Sequence, residues 1–91
     1  MLRACQTAFP HWVWEGDNQQ ARTDFRGDGR LYLQITHGDL KPIKAALYQS
    51  RGRHVVSQVE GESVAEAVGK VLYAVATDAI YGRRVTGPVP L

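Results

Sequence analysis

Ninety-one residues, 44% hydrophobic and 22% charged, fit one globular domain and exclude a coiled coil or a disordered chain. Eleven Lys plus Arg against nine Asp plus Glu give a net charge of +2, too small to establish nucleic-acid binding by charge alone and of the wrong sign for an acidic DNA mimic. The single cysteine, Cys5, excludes an intrachain disulfide and a cysteine-rich zinc site, and no stretch approaches the ~20 apolar residues of a membrane span, so the expected setting is the cytoplasm without membrane contact.

Residues 1–10 are too short a pattern to choose between a helix, a strand and a loose arm, and Pro10 ends the segment. His11 to Glu15 has the aromatic content of a strand, with Trp12 and Trp14 on one side and Val13 on the other. Gly16, Asp17 and Asn18 form a turn. Gln19 to Arg26 alternates weakly and predicts a second strand, which Gly27, Asp28 and Gly29 join to the next as a three-residue hairpin loop with Gly29 in the left-handed position. That loop sets Phe25 against Leu31, Thr23 against Leu33 and Ala21 against Ile35. Arg30 to His37 alternates cleanly, with Leu31, Leu33 and Ile35 inward. After residues 38–42, Ile43, Ala45 and Leu47 face inward and Lys44, Ala46 and Tyr48 outward. A second glycine-ended loop, Ser50 to Gly52, predicts the pairs Leu47 with Val55, Ala45 with Ser57 and Ile43 with Val59 on a fifth strand, Arg53 to Glu60.

The segment from Gly61 to Gly82 reads as one long amphipathic helix over 63–81. Ser63 and Glu66 form a capping box, and Val64, Val68, Val71, Val75 and Ala79 recur at helical spacing. Gly82 supplies a left-handed stop, and Arg83 and Arg84 lie beyond the negative end of the dipole. Residues 83–91 are Pro-rich and extended. Gly69, mid-helix, is either a point of close approach to the sheet or a tolerated surface glycine. The predicted architecture is a single α+β domain: an N-terminal arm at 1–10, an antiparallel meander of four to five strands at 11–60, and a helix on one sheet face, making a two-layer sandwich.

The face opposite the helix then carries Arg22, Arg30, Tyr32, Lys44, Tyr48 and His54, joined by Trp12 and Trp14, with Trp12 near Arg22 and with Arg51 and Arg53 at the last hairpin. Arg and Lys can meet carboxylates or phosphates, and Tyr and Trp offer flat contact surfaces. Solvated polar faces are common on antiparallel sheets, and the Trp pair equally fits a core. No HxxxH, HExxH or CxxC spacing occurs, and Ser50, Ser57 and Ser63 are explained by loop, strand and cap, so no metal, cofactor or catalytic set is expected. His37 and Asp39, with His54 nearby on the sheet, are the remote basis for a small hydrolase. The expected function is a non-enzymatic binding protein that uses the open face for a protein partner or for a second copy of itself, of the kind that serves as an accessory or inhibitor of a phage or mobile element. The alternative is an RNA- or single-stranded-DNA-binding domain that stacks bases on Tyr and Trp.

Overall fold

The computed structural model describes residues 1–51 and 54–77. The described chain contains helix α1 (Leu2–Ala8), strands β1 (Trp14–Gly16), β2 (Gln20–Asp24), β3 (Leu31–His37), β4 (Ile43–Gln49) and β5 (Val55–Gly61), and helix α2 (Val64–Thr77). The strands form one antiparallel sheet in the order β1-β2-β3-β4-β5, and α2 packs on β4 and β5. The α+β architecture and the helix-covered face are as the pattern predicts. Leu33, Ile35, Ala45 and Leu47 meet Ala67, Val68, Val71 and Val75 in a fully or almost fully buried core. Each such side chain contributes about 1.5–3 kcal/mol when removed from water, less for the alanines.

The register of β2 on β3 is the predicted one, Thr23 with Leu33 and Ala21 with Ile35. Asp24 enforces it from the loop side: its carboxylate accepts the Gly27 N–H at 2.9 Å and the Gly29 N–H at 2.7 Å, and both glycines have positive φ, 78° and 76°. The last hairpin differs from expectation. Leu47 pairs with Ser57, Ala45 with Val59 and Ile43 with Gly61, because a bulge between Leu47 and Tyr48 adds one residue to β5. The bulge lets Val56 enter the core while Val55 turns out to solvent, so both members of the Val-Val pair find a place.

One open choice is decided and two further expectations are corrected. Residues 2–8 are helical and not a loose arm: the Phe9 N–H closes on Cys5 O at 2.9 Å, and the buried Cys5 anchors the helix against the sheet. Helix α2 is 14 residues, not long. Over the described residues its ~21 Å matches the ~23 Å of the seven-residue strands beneath it. The proposals for Ala79 to Arg84 and for the tail lie outside the described residues, as does Arg53. The capping box is half formed: the Glu66 N–H reaches Ser63 Oγ at 3.1 Å, but the Glu66 carboxylate turns to Lys70 at 3.1 Å instead of back to Ser63. Lys70 chiefly, and the Glu62 N–H after it, hold the Glu66 carboxyl below its ordinary range. Gly69 faces open space, so it is a surface glycine. No helix among the described residues is long and apolar enough to cross a membrane.

Candidate functional site

Strand alternation decides which side chains share the open face. Cross-strand pairing lines up Asp24, Tyr32, Tyr48 and Val55 in one row and Glu15, Arg22, Gln34, Ala46 and Gln58 in the next. Tyr32 and Tyr48 stack with ring centroids 5.9 Å apart and planes 23° apart, and the Arg22 guanidinium lies 5.0 Å from the Tyr32 centroid. Small Ala46 leaves a dip beside this stack, and the whole forms an open groove of about 770 Å³.

Both cations in the groove already hold a carboxylate. Arg22 Nε donates to Glu15 Oε1 at 2.6 Å, and Lys44 Nζ lies 3.6 Å from Asp39. The Tyr48 hydroxyl first, and Glu15 second, hold the Arg22 guanidinium charged to above its ordinary range. In each pair the carboxylate is the more exposed partner, 63% against 49% for Glu15 and Arg22 and 85% against 24% for Asp39 and Lys44. Gln34 Nε2 donates to Gln20 Oε1 at 2.7 Å, adding a neutral amide pair to the floor.

Of the residues singled out from sequence, Arg22, Tyr32, Lys44 and Tyr48 come together here. Trp12 and Trp14 do not. Trp14 pairs with Thr23, an inward residue, so it is buried, with its Nε1–H donating to Phe9 O at 3.1 Å. Trp12 stacks on Phe9 at 4.9 Å and meets Phe25 edge-on at 6.4 Å. Arg22 pairs with Glu15 and not with Trp12, a shift of three residues from the expected register, and an odd shift reverses every face; Trp12 instead borders a neighbouring cleft with Arg22 and Tyr32. Glu15 takes that position, a site residue the sequence reading missed and which the correct register would have identified.

Arg30, Arg51 and His54 sit at the hairpin end of the sheet. There Ser50 ties two loops together, its N–H donating to Arg30 O at 3.0 Å and its hydroxyl to Gly29 O at 2.7 Å. His54 is not near His37. Their strand partners lie at opposite ends of β4, because the Gln49 N–H donates to His54 O while His37 pairs with Ile43, a separation of ~20 Å along the strand. Asp39 belongs to a loop pinned by Glu60, whose Oε1 accepts the Leu40 and Lys41 N–H groups at 2.9 and 2.7 Å. Gly38 permits this, since a Cβ there would run into Lys41 O and the Glu60 carboxylate. Among the described residues no group of three His, Cys, Asp or Glu is placed to hold a metal ion. Burial pushes the Cys5 thiol up to about 11, which keeps it protonated and unreactive. No family model matches the chain, and no curated protein or solved structure matches it either.

Proposed function

We propose that this is a non-enzymatic binding protein whose open sheet face is a contact surface for a protein partner. The observation that supports this most is the Arg22–Tyr32–Tyr48 stack, held in a groove whose two cations are already neutralised by Glu15 and Asp39. Tyr and Arg are the side chains that most often anchor protein interfaces. A phosphate would have to displace Glu15 or Asp39 to reach either cation, so the internal pairing disfavours a polyanion on this face. The lone buried Cys5 suits a reducing compartment, and we place the protein in the cytoplasm.

A comparative capture experiment tests the reading. Immobilised protein is compared with Tyr32→Ala and Ala46→Arg, which alter the face, and with Arg3→Glu, which lies on α1. A partner held by the parent and by Arg3→Glu but lost in both face variants supports the proposal. Retention by the face variants overturns it.

One observation favours a second reading. Ser50 ties its own loop, which continues to Arg51, to the Gly29 and Arg30 carbonyls at the end of the sheet that carries the Tyr pair, and cations at that end suit single-stranded nucleic acid. Titration of fluorescent oligonucleotides at two salt concentrations tests it. Salt-sensitive binding lost in Tyr32→Ala and Arg51→Ala supports it, and no binding at low salt eliminates it.

A further inference from the structure

The sheet has two edges of unequal kind. Strand β1 is three residues long and α1 packs against it, whereas β5 presents seven residues with no strand beyond them among the described residues. The main-chain directions on β5 follow from the hairpin. Gln49 aims its N–H at His54 and Ser50 aims its N–H at Arg30, so the odd residues of β4 point to β5 and the even ones to β3. Their partners Ser57, Val59 and Gly61 therefore bond to β4, which leaves Gln58 and Glu60 aimed outward. The Glu60 carbonyl confirms the direction, since it accepts Lys70 Nζ from outside the sheet at 3.1 Å. That contact also places the Glu66, Lys70, Tyr73 and Thr77 stripe of α2 on the edge side, and Tyr73 there is 73% exposed.

We infer that β5 pairs antiparallel with β5 of a second copy about a two-fold axis at Gln58, joining the two sheets into one of ten strands. Two features specify a copy of this chain as the occupant. An antiparallel strand pair closes on itself only about a residue, and Gln58 is the central outward one, so its N–H and C=O exchange two bonds with the same groups of the copy. In addition, α2 straddles β4 and β5, so its axis lies about half a strand spacing inside the edge. Joining edges ~4.8 Å apart thus leaves the two helices ~10 Å apart, the ordinary helix-packing distance.

The helices lie on the same face of the joined sheet. Gln58 is ~10 Å back from Gly61, which is about seven residues of helix from Val64, so Lys70 and Tyr73 are the side chains that meet near the axis. Lys70 of one copy then faces the exposed ring of Tyr73 of the other, a cation–π contact. The Lys70 ammonium and the bulge limit the edge to this one short register, which keeps it from open-ended strand addition. Both open faces remain uncovered on the other side, so this inference does not depend on the proposed function.

Sedimentation equilibrium of the full chain over micromolar to millimolar concentration tests it. The expected mass rises to twice the 10.1 kDa of the chain. Gln58→Pro removes only an outward N–H and should retain the far-UV circular dichroism while weakening association at least about tenfold. Tyr73→Glu, which leaves the strand untouched, should weaken it similarly and decides the matter if Gln58→Pro does not fold. Ala46→Arg, on the open face, should leave it unchanged. A monomer at every concentration overturns the inference, as does a dimer that ignores Tyr73→Glu or is broken by Ala46→Arg.

Discussion

Replacing Gly69 by Ala should stabilise the protein. Gly69 lies six residues into α2, and a Cβ built there meets nothing within 4 Å, so no neighbour must move to admit it. Glycine in a helix interior costs about 0.8–1 kcal/mol relative to alanine because it loses more backbone entropy on folding. For a domain of this size that difference corresponds to a rise of roughly 4–8 °C in the midpoint of thermal unfolding. Circular dichroism at 222 nm at one fixed protein concentration reads the shift. Gly38→Ala is the counterpart, and its midpoint should fall, since its new methyl group collides with Lys41 O and the Glu60 carboxylate. A midpoint unchanged or lowered in Gly69→Ala would refute the reasoning, because it would mean that the helix approaches another surface at this position.

Other perturbations have equally definite expected outcomes. Trp14→Ala empties a buried aromatic site and removes one of the two hydrogen bonds to the Phe9 carbonyl, at a cost of about 3–5 kcal/mol, so the denaturant midpoint should fall sharply or the chain should fail to fold. The Lys41 and Leu40 N–H groups hold the Glu60 carboxyl below its usual 4.5, so the folded state binds that proton less tightly than the unfolded one. The resulting stability is present above pH 4.5 and is lost as pH falls through the lower folded value; in Glu60→Gln the acid slope of melting temperature against pH should flatten. Native Cys5 should react with a maleimide far more slowly than the denatured chain at pH 8, and equal rates would show that α1 is not docked.

The legibility of the fold followed the length and regularity of each alternating run. Leu31, Leu33 and Ile35 face a loop closed by Gly29, and with five strand positions in phase only one register buries them all, so the β2–β3 pairing was readable. The fifth strand begins Val55-Val56, and two adjacent apolar residues cannot say which is inward; the bulge that buries Val56 leaves no mark in composition. The side taken by the Trp pair was left open for a related reason. Strand β1 has only three residues, too few for periodicity to set its phase, and the deciding contacts, Trp14 to Phe9 O and Thr23 Oγ1 to Val13 O, come from chain segments with no pattern of their own. The Tyr32–Tyr48 stack was legible as two outward residues on neighbouring strands. Its neutralisation was not, because Glu15 joins Arg22 only once β1 is in register, and Asp39 joins Lys44 only through the loop that Glu60 holds.

The aromatic corner where α1 meets the sheet carries an optical consequence. Trp12 and Trp14, the chain's two indoles, lie 5.8 Å apart among Phe9 and Phe25, so the tryptophan emission of the protein originates entirely from that corner. A red shift on denaturation therefore dates the undocking of α1, while the far-ultraviolet signal follows the helices and sheet as a whole. If the two traces separate in temperature or denaturant, the corner opens before the rest of the domain; if they coincide, the seven-residue helix is as cooperative a part of the structure as the central strands.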